Sequence, residues 1–392
     1  MSNFTPLFEF IKELYGTPDG GIIPLHEPRF LGNEKKYLNE CIDSGFVSSV
    51  GEFVNQFERE IAKFCGSKYA VATSNGTSAL HAILHAIGAN QDCEVITQSL
   101  SFIATSNAIA YTGATPVYVD VDLDTLSLSP TALEEFLHNN AQKLETHTIN
   151  KHTHKVIKAC VPMHTFGHPA RIEEIAKICK EWNIILVEDS AESLGSYFLK
   201  NGVQTHTGLE GVASALSFNG NKTITSGGGG AILTDDEALA KKLKHITTTA
   251  KAPHPYEYYH DMLGFNYRLP NLNAALALAQ LEQLPSFLSS KLEVAKSYEE
   301  FCGKNGIEFI HAREGTMPNF WLNAIKLENK AQRDDFLTQS SANGIMTRPI
   351  WYLNHQNPMY RHCQNDGLTN SIYLQDMIVN LPSSARILDI EK

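Results

Sequence analysis

The stretch YAVATSNGTSALHAILHAIGA, residues 69–89, decides how this chain folds. Its first five residues, Tyr69–Thr73, are small, aromatic or β-branched, which is typical of a buried strand. A small polar turn follows, and apolar residues then recur over 77–89 at the spacing of one helix face. A strand that leads through a tight turn into a helix is the repeating unit of an α/β protein.

The same unit recurs as far as residue 234. Further strands are predicted at 94–97, 115–120, 155–161, 184–188, 212–218 and 231–234, with helices at 102–111 and 170–182 between them. About seven strand signals in one run predict a large, doubly wound and mostly parallel seven-stranded sheet rather than two small domains.

The rest of the chain predicts a second, smaller domain. We assign 1–270, with an N-terminal helical segment, to the large domain and 271–392 to a C-terminal α/β domain, because a single core rarely grows through 392 residues. A long helix at 272–304 links the two domains. A break is expected near Pro285, because proline has no N–H to donate within a helix.

Composition excludes several classes of protein. With 43% hydrophobic and 19% charged residues, the chain has the profile of a globular enzyme. The net charge of −11 argues against a nucleic-acid partner. No apolar segment approaches the ~20 residues of a membrane helix, and the start lacks the pattern of a signal peptide. Seven cysteines without a Cys-x-x-Cys pair indicate reduced thiols and therefore a cytoplasmic location.

Two kinds of ligand site are disfavoured by the sequence. The histidines of residues 144–155 have Thr, Asn and Lys neighbours, which favour a solvated hairpin, so no metal is expected. Neither a Gly-x-Gly-x-x-Gly nor a Gly-Lys-Ser/Thr phosphate loop occurs, which argues against nicotinamide cofactors and nucleotide hydrolysis.

Three predicted strands end in polar residues, at the edge where open α/β sheets bind ligands. After the first strand, the backbone N–H groups of Gly76, Thr77 and Ser78 would point outward from a helix start, which can seat an anion. Taken alone, an ordinary helix cap is the better explanation of that segment.

The other two strand ends carry a carboxylate and an amine. Four apolar residues lead into Glu188 and Asp189, where a buried carboxylate needs a cation or a donor unless Asp189 only caps the next turn. Lys222 lies between a buried strand and the glycines of Gly227–Gly230, where backbone can approach a ligand closely. A lysine amine attacks a carbonyl only when it is neutral. The alternative is an exposed lysine on a flexible loop.

Pyridoxal phosphate (PLP) explains all three strand ends at once, because it has a phosphate, a protonatable ring nitrogen and an aldehyde. Asp189 would keep the ring nitrogen protonated, and Lys222 would hold the aldehyde as a Schiff base and move protons. The phosphate would contact Gly76, Thr77 and Ser217. Phe102 could lie flat on the ring, although an aromatic residue at a helix start more often packs in a core.

The chain resembles the DegT/StrS-type sugar-nucleotide aminotransferases from about residue 20 to the C-terminus. The motifs that carry the resemblance are Ser49–Glu52, Asn75–Leu80, Gly113–Asp120, His164–Gly167, Glu188–Ala191, Ser217–Lys222, Gly264–Leu269 and Asn380–Ser383. So many motifs in the right order are highly specific for the family. The resemblance implies the aspartate aminotransferase fold, fold type I of the PLP-dependent transferases.

The resemblance also implies an activity and partners. It implies a PLP-dependent enzyme that passes an amino group from L-glutamate to a nucleotide-linked keto sugar. It implies a homodimer with active sites at the subunit interface, in which Asn266 reaches the phosphate in the opposite active site. Arg268, two residues along the chain, would contact substrate anions.

Two positions depart from the family pattern. Glu192 stands where members commonly have Gln or His, three residues after the ring-nitrogen Asp, and it is assigned to the cofactor site. The run Gly227–Gly230 replaces the usual Gly-Glu-Gly-Gly. Lys222 is retained, so the members that replace this lysine with His and perform dehydration are not the guide.

Four sequence features together indicate a narrower class of substrate: Asn221–Lys222, the four glycines, Thr347–Trp351 and Asn354–His355. This combination is similar to the C4 aminotransferases of legionaminic-acid and bacillosamine-type pathways. It implies that UDP-4-keto-6-deoxy-N-acetylglucosamine accepts the amine, giving the UDP-4-amino-4,6-dideoxy sugar for surface glycans or nonulosonic acids. The alternatives are a GDP- or dTDP-linked keto sugar of the perosamine type, a nucleotide-sugar dehydrogenase or epimerase, and a non-catalytic PLP-binding regulator. Candidate sugar or nucleotide contacts, each of which could instead serve packing, are Ser48, Ser49, His254, Arg268, Arg348 and Trp351.

Overall fold

The computed structural model of the chain describes residues 3–16 and 21–386. Its helices are α1 (Thr5–Tyr15), α2 (Glu34–Asp43), α3 (Glu52–Cys65), α4 (Gly76–Ala86), α5 (Ile103–Tyr111), α6 (Pro130–Asn140), α7 (Ile172–Glu181), α8 (Glu237–Thr247), α9 (Asn271–Asn305), α10 (Lys330–Ala342) and α11 (Thr369–Met377). Its strands are β1 (Tyr69–Thr73), β2 (Cys93–Gln98), β3 (Thr115–Val119), β4 (Ala141–Lys143), β5 (Thr148–Asn150), β6 (Val156–Val161), β7 (Ile185–Asp189), β8 (Tyr197–Lys200), β9 (Val203–His206), β10 (Ala213–Ser217), β11 (Gly230–Thr234), β12 (Glu308–Phe309), β13 (Thr316–Met317), β14 (Asn323–Lys326), β15 (Arg348–Pro349) and β16 (Ile378–Leu381).

The large sheet has the predicted fold class. Its main path runs β1-β11-β10-β7-β6-β2-β3, and the neighbours from β10 to β3 pair in parallel. Only β11 on this path runs against its neighbours β1 and β10. The β4–β5 hairpin joins the sheet beside β6, so the sheet has nine strands rather than the predicted seven. Buried apolar side chains cover both faces, as expected when parallel strands are connected through helices.

The pairing of β11 brings two strand ends together. Gly230, at the start of β11, is paired with Thr73 at the end of β1 and with Ser217 at the end of β10. A Cβ on Gly230 would lie 2.5 Å from the backbone of Asn75, so this close approach requires glycine. The start of α4 therefore lies beside the end of β10.

A smaller sheet forms from the C-terminal part of the chain, in the order β12-β14-β16-β15. The domain boundary at residues 270 and 271 falls at the start of α9 and stays a prediction. The expected break at Pro285 is wrong, because α9 runs unbroken through it. Leu284 and Phe287 are buried there, and their packing offsets the hydrogen bond that Pro285 cannot donate.

Other sequence features find their places in the described residues. All seven cysteines are buried and unpaired. In the ranges 3–16 and 21–386, no cluster of three or more His, Cys, Asp or Glu side chains is arranged to hold a metal ion. Within the same ranges, no helix is both long enough and apolar enough to span a membrane. A hairpin of β8 and β9, extended by β13, was not among the predicted strands.

Candidate active site

A pocket of about 230 Å³ opens at the carboxyl ends of β1, β7 and β10. The residues predicted for the cofactor that line it are Gly76, Thr77, Phe102, Asp189, Glu192, Ser217 and Lys222. Strand ends that lie far apart in the sequence thus meet at one cavity, where an open α/β sheet is expected to bind its ligand.

The start of α4 forms one end of the pocket. Asn75 caps this helix, and its side chain accepts the backbone N–H of Ser78 over 2.8 Å. Because the first N–H groups of a helix have no acceptor within the helix, those of Gly76 and Thr77 are available to an anion. A Cβ on Gly76 would lie 3.0 Å from the Cβ of Ser217, so glycine lets the helix start meet that hydroxyl. This end of the pocket suits a phosphate.

The buried carboxylate of Asp189 lies at the end of β7. Its Oδ2 accepts the hydroxyl of Thr105 over 2.6 Å, and its Oδ1 accepts the N–H of Ala191 over 3.1 Å. Burial raises the pKa of Asp189, against the opposing effect of these hydrogen bonds and of the charge on Lys222. None of the described residues forms an ion pair with it. A protonated ring nitrogen would supply the missing positive partner.

Glu188, next to Asp189 on β7, anchors this strand from its other face. Its carboxylate accepts Nε2–H of His164 over 2.9 Å and three backbone N–H groups of residues 208–211. Because Nδ1 of His164 accepts the N–H of Ala170, its proton resides on Nε2. Burial alone would raise the pKa of Glu188, but these hydrogen bonds outweigh it and lower the pKa. The anchoring fixes the strand end that carries Asp189.

Lys222 is held inside the pocket rather than in solvent. Its Nζ lies 3.4 Å from Oε1 of Glu192 and 4.0 Å from the ring centroid of Trp321. The indole N–H of Trp321 donates to the carbonyl of Asn221 over 2.6 Å, which fixes the ring beside the lysine. Burial raises the pKa of Glu192 to about 7, although the charge of Lys222 opposes the rise.

The residues present fit PLP. The close approach at Gly76 forms a cradle for a phosphate, Asp189 has no ion-pair partner among the described residues, and Lys222 supplies a primary amine. Phe102 lines the same cavity, and its side chain is 51% exposed rather than packed in the core. An exposed aromatic ring on a pocket wall is available to cover a flat heterocycle.

Seven residues predicted for substrate or partner contacts do not line this pocket. They are Ser48, Ser49, His254, Asn266, Arg268, Arg348 and Trp351. Ser48 and Asn266 are exposed, and Arg268 pairs through its backbone with Thr73 at the end of β1. Trp351 packs against Phe166 with ring centroids 4.9 Å apart. The roles of all seven stay predictions.

Sequence reasoning missed part of the pocket. Asn75, Leu80, Ala104, Met163, Ala191, Asn219 and Gly229 also line it. A signal existed for Met163, which follows the predicted strand at 155–161 as Asp189 follows its own strand. No comparable signal existed for Trp321, because only the folded chain brings it to Lys222.

Known proteins resemble this chain over most of its length. The sequence model of the DegT/DnrJ/EryC1/StrS aminotransferase family matches residues 30–390. GDP-perosamine synthase of Escherichia coli O157:H7 is 37% identical over 339 residues, which cover 86% of this chain and 87% of that protein. GDP-perosamine synthase of Vibrio cholerae is 34% identical over 373 residues, which cover 94% of this chain and 95% of that protein.

A solved structure extends the similarity to three dimensions. Helicobacter pylori PseC, an aminotransferase involved in the biosynthesis of pseudoaminic acid, superposes with a TM-score of 0.83 at 25% identity. The superposition covers 94% of this chain and 95% of PseC. The family model and these relatives span nearly the whole chain, including every strand end of the pocket. The chain belongs to the DegT/DnrJ/EryC1/StrS aminotransferase family, whose members are PLP-dependent nucleotide-sugar aminotransferases.

Proposed function

We propose that this enzyme transfers the amino group of L-glutamate to C4 of a nucleotide-linked 4-keto-6-deoxy sugar. The observation that carries the proposal is one cavity that joins the helix start at Gly76, the buried carboxylate of Asp189 and the amine of Lys222. PLP, when bound, supplies an electron sink that lets an amino group move between two carbons.

The chain's own residues would divide the work of holding the cofactor. Gly76, Thr77 and Ser217 would bind its phosphate, Asp189 its ring nitrogen, Lys222 its aldehyde carbon, and Phe102 one ring face. Glu192 would lie beside Lys222, where Nζ is 3.4 Å from Oε1. Because Lys222 is a primary amine inside the pocket, it would also be the group that carries protons between carbons.

We propose a GDP-linked sugar of the perosamine type as the acceptor. Three relatives, from Escherichia coli O157:H7, Vibrio cholerae and Caulobacter vibrioides, are GDP-perosamine synthases. They support this acceptor better than the UDP-linked N-acetylated sugar that the sequence motifs indicated.

Internal hydrogen bonds account for one of the motifs that indicated the UDP-linked sugar, Asn354–His355. The side-chain amide of Asn354 donates to the hydroxyl of Ser106 over 2.9 Å, and Nδ1 of His355 lies 2.8 Å from the hydroxyl of Ser99. Residues engaged in such contacts can recur among relatives without touching a sugar. The Asn354–His355 motif therefore carries little weight in choosing the nucleotide.

We also propose that the enzyme acts as a homodimer. Phe46, Val50 and Leu263 are large apolar residues that are 58%, 58% and 69% exposed, and exposed apolar surface of this kind is typical of an interface. A second copy would cover them, and Asn266, three residues beyond Leu263, would then contribute to the neighbouring active site. Light scattering on the purified protein should give twice the chain mass of 43.4 kDa.

One experiment tests activity and nucleotide together. The enzyme is incubated with L-glutamate and, separately, with GDP-, UDP- and dTDP-linked 4-keto-6-deoxy sugars, and the products are examined by mass spectrometry. The GDP-linked sugar should gain nitrogen, and the Lys222→Ala variant should aminate none. Faster amination of the UDP-linked N-acetylated sugar would overturn the proposed nucleotide. Amination of no keto sugar would overturn the activity.

A further inference from the structure

Two hydrogen bonds hold Glu192 in place, in addition to its contact with Lys222. Its Oε2 accepts the N–H of Phe166 over 2.9 Å, and its backbone carbonyl accepts the side-chain amide of Asn319 over 2.9 Å. Phe166 has a φ of 55°, a left-handed conformation that costs free energy for a residue other than glycine. Surrounding packing must hold that backbone, and with it the N–H that binds the carboxylate.

The second carboxylate oxygen is left for the lysine. Oε1 of Glu192 lies 3.4 Å from Nζ of Lys222, while the Trp321 ring covers Nζ on another side. In the described part of the chain, Glu192 is the only ion-pair partner of Lys222. The side chains of Glu192 and Lys222 are 2% and 13% exposed, so water has little access to the pair.

The surrounding groups set the proton affinity of this carboxylate near neutrality. Burial raises the pKa of Glu192 to about 7; Lys222 opposes the rise, and Asp189 adds to it. His26 also lies near Lys222, and both of its ring nitrogens are buried without a hydrogen-bond partner among the described residues. Burial and the nearby cations lower the pKa of His26, so it adds no charge at neutral pH.

We propose that Glu192 is the base for Lys222. Its carboxylate takes one proton from the Nζ ammonium, so that one N–H bond breaks, one O–H bond forms, and a neutral amine faces a neutral carboxylic acid. The total charge of the pair is unchanged, so no proton has to leave the buried pocket. Family members with Gln or His at this position have no carboxylate there. The inference rests on the proposed role of Lys222 in binding PLP.

The test is the rate at which PLP-free enzyme captures added PLP, followed by absorbance over a pH series that spans 7. The variants are Glu192→Gln, which removes the base, and Glu192→Asp, which keeps a carboxylate. Glu94→Gln is the matched control, because Glu94 is also buried but lies at the amino end of β2, away from the pocket. Thermal unfolding of each PLP-free protein shows whether it is folded.

The wild-type rate should fall as the pH drops through about 7, where Glu192 becomes protonated. Glu192→Gln should capture PLP about tenfold or more slowly above that pH, and its pH profile should lose the inflection at about 7. Glu192→Asp should retain the fall, and Glu94→Gln should match wild type. If Glu192→Gln captures PLP at the wild-type rate, or faster than wild type at low pH, then Glu192 is only a counter-ion of Lys222 and the inference is overturned. Wild-type protein that captures no PLP would instead overturn the proposed function.

Discussion

The polar side chains of the pocket wall are buried and held by hydrogen bonds, whereas most side chains of the loop of residues 251–260 are exposed. In the pocket, Asp189 and Glu192 are each 3% exposed and accept hydrogen bonds from fixed donors. In the loop, Tyr256 and Tyr258 are 79% and 81% exposed and contact loop neighbours such as His254. One chain therefore brings the predicted PLP contacts other than Asn266 to one cavity. The exposed loop is suited to a second surface, which we propose is another copy of the chain.

Among the variants of pocket residues, Lys222→Ala should have the largest effect. Loss of the amine should abolish the yellow absorbance of lysine-bound PLP and lower the amination rate on the order of a thousandfold or more. An absorbance scan and a product assay measure the two effects. Yellow absorbance that persists in the variant would place the reactive amine elsewhere.

Asp189→Asn should have the next largest effect. Without a charged partner for the ring nitrogen, the amination rate should fall by about a hundredfold, measured by product formation. The pKa of Asp189 is raised in the folded protein, so its ionisation costs stability as the pH rises. In thermal unfolding of the PLP-free proteins, the stability of Asp189→Asn relative to wild type should therefore increase as the pH rises through the acid range. An unchanged rate would remove Asp189 from the mechanism.

Phe102→Ala tests whether an exposed side chain of the pocket wall contributes to PLP binding. Half of this ring is exposed, so the free energy of unfolding should change little, whereas the dissociation constant of PLP should rise about three- to tenfold. Tyr111→Ala is a suitable control, because Tyr111 is an aromatic residue of similar exposure, 60%, at the other end of α5. Equal PLP affinities of the two variants would show that Phe102 does not cover the ring.

His254→Ala should have the smallest effect on PLP. This side chain is exposed and contacts only its own loop among the described residues, so PLP affinity should stay within about twofold of wild type. Titration of PLP-free protein measures it. A tenfold weaker PLP affinity would contradict this expectation, because it would show that the loop contributes to the PLP site.

Strand positions were readable from the sequence because they depend on local pattern. The strands predicted at 69–73 and 184–188 correspond to β1 and β7, within one residue at each end. The polar residues that end them were readable for the same reason, since a carboxylate after four apolar residues stands out. Pro285 misled the prediction, because its cost to α9 is offset by packing that involves the rest of the fold.

Contacts between distant residues were beyond the sequence. Nothing in the sequence pairs Lys222 with the ring of Trp321, or the N–H of Phe166 with Glu192. The contact between the rings of Trp351 and Phe166 was likewise not readable from the sequence. Such contacts depend on how helices and sheets settle against one another, which no local window of residues records.

The alternation of strands and helices, the residue type at each strand end and hence the family's chemistry can all be inferred from the sequence alone. The physical basis of this inference is local, because backbone preference and apolar periodicity depend on near neighbours. The tertiary structure was needed to show which of those side chains share a cavity and which carboxylate lies next to the amine of Lys222. It was also needed to show which predicted site residues lie outside that cavity. These outcomes depend on close packing of the entire core, where every element constrains the others.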